Sequence, residues 1–493
     1  MTNNFNEAKA LFEKGVEELN QNRLESAKLY FLKSLNLLPG RSSTISNLIK
    51  IYFLSNDANG LEIFLLKKEN INNSKELIIG RSILFYLKDK LSESYETLKS
   101  INLTKNDLLY YEVNLLMAMI MVDKQDFINA ISIFRKLLKE NKNDWVIYNN
   151  IGKYFTTVGK AQLAKKFYQK SFKLNKSDNL VAHNLATSMI KLSEFKDGFK
   201  LYESRRFLKL NNKDKFYKYN LPSSLVNFKD KSIVIFEEQG IGDVFQFTRF
   251  IKLLTKYSKD ISFYVRKNLI PFYQNIVWDV KVLNITEITK SESDYYIPIM
   301  SLPNFFDLET DKIPFEEINL KKNFIPNDKL FDQKKLNIGF SYQGNPNYKN
   351  DNYRSISAKY FLKYLKDKTI NFFQISQLSI FKEDYLTMLS CNNIKRLDEI
   401  PFDLLYGYLK KLDLIFTTDT SIAHYCGILN IPAYLLLNYN SHWNWLEDTY
   451  KSQWYPSITI IKQKKLNDWT AVIDIMDQII ENKKIKLTHN IFF

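Results

Sequence analysis

The chain of 493 residues contains only two cysteines, Cys391 and Cys426, and neither lies in the spacing of a zinc site. Two cysteines cannot build a disulfide framework, so we expect a reducing compartment. Long apolar runs are also missing, since stretches such as IPAYLLL fall far below the ~20 residues that cross a bilayer. The start, MTNNFNEAKALFEKG, lacks the apolar core of a secretion signal. These absences predict a cytoplasmic protein without a transmembrane segment.

Acidic residues are in deficit, because 54 Asp and Glu stand against 70 Lys and Arg, which gives a net charge of +16. Such an excess favours an anionic partner such as nucleic acid, phosphate or a membrane surface. No continuous basic block is present, however, so scattered lysines on solvated faces explain the charge more simply, and a nucleic-acid partner is not favoured. With 45% hydrophobic and 15% aromatic residues the chain can bury substantial cores. Its length indicates two or three domains.

The first 205 residues carry an internal repeat of small and aromatic positions. Its spacing is that of tetratricopeptide units, each a helical hairpin, although the pattern is degenerate between about 45 and 110. We therefore predict a tetratricopeptide solenoid over residues 1–206. Its groove either binds a peptide or protein, or the repeats only brace the following domain, and the sequence leaves both open. The repeat is defined by Gly15, Ala27, Phe31 and Pro39, by Gly152, and by the 34-residue recurrence of Ala130–Phe134 as Ala164–Tyr168 and Gly198–Tyr202.

Beyond a charged, asparagine-rich segment at residues 207–230, interpreted as a linker, the pattern becomes that of an α/β protein. Short β-branched or aromatic runs alternate with helical patterns, which is typical of parallel sheets. Strands are predicted in two series: SIVIFEE, ISFYV and YYIPI, then LNIGFSY, NFFQIS, LDLIFTT and AYLLL. A polar segment near 326–335 separates them. We expect two Rossmann-like halves, 231–330 and 331–493, with a cleft between the carboxyl ends of their strands.

The stretch EEQGIGDVFQF joins the first of these strands to a helix and contains two glycines and an acid. It is not a dinucleotide fingerprint, because Phe245 occupies the place of the third small residue. The absence of Gly-Lys-Ser/Thr excludes a Walker A loop. Gly240 and Gly242 thus deliver Asp243 to the start of a helix at the cleft. There the carboxylate either complements the helix dipole or serves as a general base.

Two further polar segments follow strands of the second series. TTDTSIAHYCG opens a helix through Thr420 or Ser421, where free N–H groups can bind a diphosphate that His424 also faces. The alternative is an ordinary capping sequence. SYQGNPNYKNDNYRSI is a polar loop whose cations, Lys349 and Arg354, can neutralise phosphate charge at the cleft. The alternative for this loop is a mobile surface segment.

Four segments, taken together and in this order, resemble the family-9 glycosyltransferases, which are heptosyltransferase-like enzymes of GT-B fold. They are EEQGIGDVFQFTRF, GFSYQGNPNYKNDNYRSI, TTDTSIAHYCG and HWNWLEDTYKSQWYPSITIIKQ. The chain looks more like the bacterial subgroup in which tetratricopeptide repeats precede that domain, and GFKLYESRR resembles the junction of that subgroup. The likeness spans residues 231 to about 480 and the repeats. It implies an α-solenoid followed by a GT-B fold.

The resemblance also implies inverting, metal-independent transfer of a hexosyl- or heptosyl-like sugar to a protein or glycan hydroxyl. The donor would be a nucleotide diphospho-sugar, which is a substrate, so no cofactor is expected. Asp243 matches the catalytic base after the glycine turn. The diphosphate motif matches Asp419, Thr420, Ser421 and His424; Lys349 and Arg354 lie in the segment of a phosphate-binding cation, and Gln377 matches a position near the nucleotide.

The chain departs from its relatives in ways that leave the substrate open. Heptosyltransferases lack the repeats, so heptose is not implied, and Tyr and Phe replace the usual small residues around the loops. No Asp-x-Asp sequence is present, which agrees with cations and helix dipoles, not a metal, stabilising the leaving group. The alternative function is a non-catalytic scaffold that uses the repeat groove beside a degenerate GT-B platform. The sugar, base, acceptor and oligomeric state are not determined.

Overall fold

A computed structural model of the chain defines two compact units. Most of the interpreted linker lies outside the described residues, as do Lys349 and Gln377. The first unit comprises Met1–Thr157 and Gln169–Asn175, and the second comprises Val158–Tyr168 and Lys176–Phe493. The described residues are 2–21, 23–68, 74–105, 110–208, 221, 225–288, 293–306, 308, 313–345, 348, 351–375, 394–447 and 450–492.

The N-terminal residues form helices in consecutive pairs, as the repeat pattern predicts. Side chains of Asp57, Asp126 and Asp178 cap the first turns of three of them by accepting backbone N–H bonds. No described helix is long and apolar enough to cross a membrane. The helices are α1 (Thr2–Asn20), α2 (Leu24–Leu37), α3 (Ser42–Leu54), α4 (Ala58–Leu66), α5 (Lys75–Leu87), α6 (Leu91–Lys99), α7 (Tyr110–Asp123), α8 (Phe127–Glu140), α9 (Trp145–Thr157), α10 (Ala161–Leu174), α11 (Asn179–Lys191) and α12 (Phe195–Tyr202).

The small and aromatic repeat positions form the contacts between paired helices. A Cβ on Gly15 would lie 2.8 Å from the Phe31 ring, so only glycine lets α1 and α2 approach this closely. Ala130 and Phe134 are fully buried in α8, and a Cβ on Gly198 in α12 would lie 2.8 Å from a side-chain carbon of α11. The predicted packing of the repeats is therefore confirmed at these positions.

The degenerate middle of the repeat region keeps the hairpin architecture by another device. In the pair α5–α6, Ser82 and Ser94 are fully buried, and each hydroxyl donates to the backbone carbonyl of the other, at 2.8 and 2.7 Å. A reciprocal serine pair needs a close approach of the two helices, just as the small residues of the other hairpins do. The repeat pattern of glycine, alanine and aromatic residues does not show this hairpin, because its contact is made by polar serines.

The second unit contains two parallel sheets. Their strands are β1 (Ser232–Phe236), β2 (Asp260–Val265), β3 (Lys281–Asn284) and β4 (Tyr295–Pro298), then β5 (Leu336–Ser341), β6 (Ile370–Gln374), β7 (Ile394–Arg396), β8 (Leu414–Thr418), β9 (Ala433–Leu437) and β10 (Ile458–Lys462). The orders are β3-β2-β1-β4 and β10-β9-β8-β5-β6-β7. Counted within its own sheet, the second reads 3-2-1-4-5-6, the doubly wound order. The predicted α/β architecture of this part is confirmed.

The strand order fixes where a ligand site belongs. In doubly wound sheets it lies at the carboxyl ends of the strands where the order reverses, here between β1 and β4 and between β5 and β8. The loops after β1, β5 and β8 are those that carry the three polar motifs. The helices of this part are α13 (Ile241–Leu254), α14 (Ile270–Gln274), α15 (Asp351–Arg354), α16 (Leu362–Lys366), α17 (Phe402–Leu409), α18 (Ser421–Ile428) and α19 (Thr470–Phe492).

One hydrophobic core runs through both halves of the second unit. It includes Ile235 of β1 and Leu435 of β9, although these strands belong to different sheets. Phe245 of α13 is fully buried, and its ring centroid lies 5.0 Å from that of Phe402 and 5.4 Å from that of Tyr425, both in the second half. The aromatic residue at the third position of the glycine turn thus fills the contact between the halves.

The last helix pair, α11 and α12, is grouped with the α/β part by compactness, whereas the repeat pattern places the domain boundary at residue 206. The physical reason is a buried ion network at the end of α12. The Arg205 guanidinium donates to both carboxylate oxygens of Glu238, at 2.6 and 3.1 Å, just beyond β1. The repeat pattern places the boundary where the spacing of small and aromatic residues ends. The compact units are separated where few contacts cross, and this ion network ties α12 to the α/β part.

Candidate functional site

The loop after β1 is held from two sides by ion pairs. Glu237 accepts from Arg266 Nε at 3.0 and 2.9 Å, and Glu238 pairs with Arg205. Gln239 between these acids and the helix has a left-handed backbone with φ of 59°, and its carbonyl accepts from Arg266 Nη2 at 3.1 Å. Glu237 and Glu238 therefore hold the turn in place, whereas Asp243, the last acid of EEQGIGD, lies in the helix itself.

Asp243 lies in the first turn of α13 with both carboxylate oxygens engaged. Oδ2 accepts from the backbone N–H of Gly240, the N-cap residue, at 3.0 Å, and Oδ1 accepts from Asn444 Nδ2 at 3.2 Å. The side chain is half-buried, which leaves part of the carboxylate open. Burial raises the pKa of Asp243, and the nearby His442 and the two hydrogen bonds oppose that rise. The acid thus stabilises the helix start and contacts Asn444 of the second half.

Gly242 has a packing role that the sequence does not reveal. It lies in the first turn of α13, and a Cβ on it would lie 2.7 Å from Cδ2 of His424. The residue is therefore small because a ring of the opposite half packs against its backbone. This contact brings the Asp243 turn of the first half next to the helix start that carries Asp419 and His424 in the second.

Gly242→Ala is expected to destabilise the protein by about 1–3 kcal/mol, because the added methyl group overpacks the contact with His424. Gly40→Ala is the matched control, since a Cβ there meets nothing within 4 Å. Chemical denaturation of both variants measures the difference. A Gly242→Ala variant as stable as the Gly40→Ala variant would contradict the tight contact between the halves.

The mouth of α18 presents backbone N–H groups beside hydroxyls. Thr420 is its N-cap residue, as expected, but its side chain makes no capping hydrogen bond. Its Oγ1 lies instead 3.2 Å from Thr417 Oγ1 and 3.3 Å from Ser341 Oγ. Ser421, the first helical residue, is half-buried. The first turn of this helix therefore keeps donors that an anion can accept from.

Arg354 is brought to this mouth from the loop after β5. Its Nη1 donates to the Asp419 carbonyl at 2.7 Å, and its Nε donates to Asp351 Oδ1 at 2.8 Å. Asp351 is itself buried and accepts from Ser355 Oγ at 2.6 Å. Among the cations expected near phosphate, Arg354 is thus fixed beside α18, while Lys349 and Gln377 lie outside the described residues.

His424 is buried one turn into α18 and carries no charge at neutral pH. Burial lowers its pKa to about 4. Its Nδ1 lies 2.8 Å from the Tyr455 hydroxyl, and its ring stacks on Trp445 with centroids 4.7 Å apart. That His424 faces the anion stays a prediction, and a neutral imidazole would offer the anion a hydrogen bond without a positive charge.

Functional candidates that the sequence reasoning missed lie in residues 438–447, here called the strap. Asn444 of the strap donates to Asp243, and Trp445 Nε1 donates to Asp419 Oδ1 at 2.8 Å. His442 lies close enough to both carboxylates for each to raise its pKa, although burial is the larger effect and lowers it. The sequence HWNW, residues 442–445, marks this segment as unusual. Its contacts with Asp243 and Asp419 could not be inferred, because these residues are distant in the sequence.

The site as a whole places a carboxylate of the first half beside a cation and a helix N-terminus of the second half. The first half supplies the Asp243 carboxylate, and the second supplies Arg354 and the N-terminus of α18 beside Asp419. The strap joins the two acids. Such an arrangement can remove a proton from a hydroxyl on one side while stabilising developing negative charge on the other.

Comparisons with known proteins bear on the repeats. A family model described as tetratricopeptide repeat matches residues 146–178, which cover all but the first residue of α9 and the whole of α10. The predicted presence of tetratricopeptide repeats is thus confirmed. No curated protein matches the chain.

Several solved structures are similar to part of the chain. A chain of the APC/C hetero-tetramer Cut9–Hcn1 is 15% identical, with a TM-score of 0.36, and the match covers 39% of this chain and 37% of that one. A thermophilic tetratricopeptide-repeat protein of Thermus thermophilus is 14% identical over 37% of this chain and 99% of that one, with a TM-score of 0.32. PilF of Pseudomonas aeruginosa is 15% identical over 42% and 91%, with a TM-score of 0.29.

Proposed function

We propose that the protein is an inverting glycosyltransferase of GT-B fold that uses a nucleotide diphospho-sugar and a protein or glycan acceptor. Asp243 takes the proton of the acceptor hydroxyl while the acceptor oxygen bonds to the anomeric carbon. The bond from that carbon to the diphosphate oxygen breaks, and the nucleoside diphosphate leaves with the electron pair. Attack from the face opposite the leaving group inverts the anomeric configuration.

The single observation that carries the proposal is the pairing of Arg354 with the mouth of α18, opposite the Asp243 turn. A guanidinium and unpaired helix N–H groups are the donors that a diphosphate leaving group accepts from. Thr420 and Ser421 add hydroxyl donors beside them. These groups stabilise the charge that develops on the leaving oxygens, which is the largest contribution in many transfer reactions.

The environment of Asp243 supports a role as base. Its pKa is raised by burial, and a base whose pKa lies nearer the working pH accepts a proton more effectively. The hydrogen bonds from Gly240 and Asn444 fix its orientation and occupy one lone pair on each oxygen. The remaining lone pairs and the open part of the side chain suit an incoming hydroxyl.

A panel of nucleoside diphosphates tests the proposal directly. UDP, GDP, ADP, CDP and TDP are each added to the full chain, and thermal shift and calorimetry report binding; nucleotide sugars with the preferred base are then assayed for release of the diphosphate. At least one nucleotide is expected to bind, and turnover is expected to survive EDTA. If no nucleotide binds and no donor is consumed, the proposal fails.

Arg354→Met is expected to weaken binding of the preferred nucleoside diphosphate about 10- to 100-fold, because a charged hydrogen-bond donor to the diphosphate is lost. Arg396→Met is the matched control, since that arginine pairs with Asp398 at 2.8 Å on β7 and is about half exposed. Isothermal titration measures both dissociation constants. Equal affinity in the two variants would remove Arg354 from the diphosphate site.

The second candidate function is a protein-binding scaffold without catalysis. The tetratricopeptide match at residues 146–178 favours it, because such solenoids present concave binding surfaces. The two candidates differ in what a nucleotide does: a scaffold retains a protein partner equally with or without any nucleotide, and it consumes no donor. In the glycosyltransferase the repeats instead offer the acceptor to the cleft. A cytoplasmic location stays a prediction in either case.

A further inference from the structure

We propose that Lys191, at the end of α11 in the last repeat, positions the strap that joins the two acids of the site. The claim about the strap stands on contacts alone, whereas its consequence for catalysis rests on the proposed function. Under this inference the last helix pair of the solenoid helps to position the site residues of the transferase, in addition to connecting the repeats to the α/β part.

Lys191 is unusual among the repeat lysines because it is buried. Its side chain is only 9% exposed, and Nζ donates to the backbone carbonyl of Ser441 in the strap at 2.6 Å. The nearest carboxylate is that of Glu447 at the other end of the strap, with 3.7 Å between Nζ and Oε2. Burying an ammonium group costs free energy unless the group is paired, so the contacts with the strap are what stabilise Lys191 in this position.

A second grip on the strap comes from the turn between α9 and α10. Gly159 has a left-handed backbone with φ of 68°, and a Cβ on it would lie 2.7 Å from the Tyr439 ring. The backbone N–H of Tyr439 donates to Gln463 Oε1 at 2.9 Å, just beyond β10. The start of the strap is therefore held between the repeat turn and the second sheet, and Lys191 holds the Ser441 carbonyl.

The strap residues that contact Lys191 lie only a few residues from those that contact the two acids of the site. Asn444 lies three residues after Ser441 and orients the Asp243 carboxylate, and the next residue, Trp445, orients Asp419. Misplacement of a catalytic group by about 1 Å can cost on the order of 10²-fold in rate. Loss of the Lys191 contact therefore acts on the acids through the strap, which makes Lys191 a positioning residue.

The test compares Lys191→Met with Lys165→Met in the full chain. Lys165 is a matched control, because it is a half-buried repeat lysine that pairs with Glu194, the N-cap residue of α12, and not with the strap. Hydrogen–deuterium exchange of residues 438–447 is expected to be about tenfold faster or more in Lys191→Met and unchanged in Lys165→Met. Unchanged exchange in both variants would overturn the proposal.

A second readout separates positioning from general loosening. His442 of the strap is acted on by burial and Lys191, which lower its pKa, and by Asp419 and Asp243, which raise it; the His183 and His424 rings lie near. Because the chain has only four histidines, ring NMR can follow each one. Lys191→Met is expected to raise the pKa of His442, whereas Lys165→Met is not. No shift would count against the contact.

The two hypotheses fail separately. If strap exchange responds to Lys191→Met but no nucleoside diphosphate binds to the native chain, the strap contact stands and the proposed function falls. If transfer occurs and the strap does not respond, the function stands and the positioning role falls. In an active enzyme, Lys191→Met is expected to lower kcat about 10- to 100-fold. Should that variant fold poorly, Lys191→Ser, which is polar but too short to reach the Ser441 carbonyl, replaces it in every measurement.

Discussion

Asp243→Asn is expected to lower the rate of sugar transfer by about 10²–10⁴-fold, because the amide cannot accept the proton of the acceptor hydroxyl. The dissociation constant of the nucleoside diphosphate is expected to change less than about threefold, since Arg354 and the mouth of α18 are untouched. Single-turnover assays give the rate, and calorimetry gives the affinity. The variant should remain folded, because an amide oxygen can still accept from the N–H of Gly240.

Asp260→Asn provides the control for Asp243→Asn. Asp260 is an exposed acid at the start of β2, so its neutralisation makes the same change of charge on the first half without touching the site. Transfer by the Asp260→Asn variant is expected to equal that of the native chain. Transfer at native rates by the Asp243→Asn variant would remove Asp243 from the role of base.

The raised pKa of Asp243 also predicts the pH dependence of transfer. Burial, the largest cause, disfavours the charged carboxylate, so the acid holds its proton to higher pH than an ordinary aspartate. Only the deprotonated form serves as base, and kcat/KM is therefore expected to fall with a slope of one as pH drops through this pKa. This fall of kcat/KM at low pH should be absent from the residual activity of the Asp243→Asn variant. A rate that stays flat down to the ordinary range of aspartate pKa values would contradict this.

Arg205→Met is expected to cost about 3–5 kcal/mol of stability, because it leaves the buried carboxylate of Glu238 without its cation. The guanidinium binds Glu238 through two bonds, Glu203 at 2.9 Å and the Ser301 hydroxyl at 2.8 Å. Glu238 also accepts from the backbone N–H of Met300 at 3.1 Å. The network therefore links the end of α12 to the loops after β1 and β4, and denaturant unfolding measures its loss.

A double substitution identifies the source of the Arg205 effect. If the unpaired charge of Glu238 causes the loss, Glu238→Gln in the Arg205→Met background should recover part of the stability, so that the two changes are not additive. The ion pair made by Arg396, whose own side chain is about half exposed, supplies a baseline, and Arg396→Met is expected to cost no more than about 1 kcal/mol. Equal losses for Arg205→Met and Arg396→Met would show that burial adds nothing to this ion pair.

The larger elements of the fold could be predicted because each carries its own local pattern. The seven predicted strands are present, since each is a run of β-branched or aromatic residues that is largely buried in its sheet. Three strands escaped prediction. β3 (KVLN) and β7 (IKR) are too short and polar to show a pattern, and β10 (ITIIK) directly follows an aromatic-rich stretch that obscured it. Pairing with neighbouring strands, and not composition, makes β3 and β7 strands, whereas β10 is itself a β-branched run.

The candidate site was predictable only where chain position implies location. Arg354 and Asp419 follow β5 and β8, which are neighbours in one sheet, so strand order alone brings them to the same edge. Asp243 follows β1 of the other sheet and reaches them through the packing of the two halves. The role of Gly242 was not predictable, because the His424 ring against which it packs comes from the other half. The same holds for Asn444 and Lys191, whose partners depend on how loops and helices pack and not on any repeating pattern.

The long separation between the partners of the strap has a consequence for biosynthesis. Asn444 and Asp243 are 201 residues apart. While the chain is being made, the first sheet can form as soon as it leaves the ribosome, yet its acid lacks its orienting amide until the strap has emerged. If the chain carries out the proposed transfer, that activity would therefore appear only after residues 438–447 have been made.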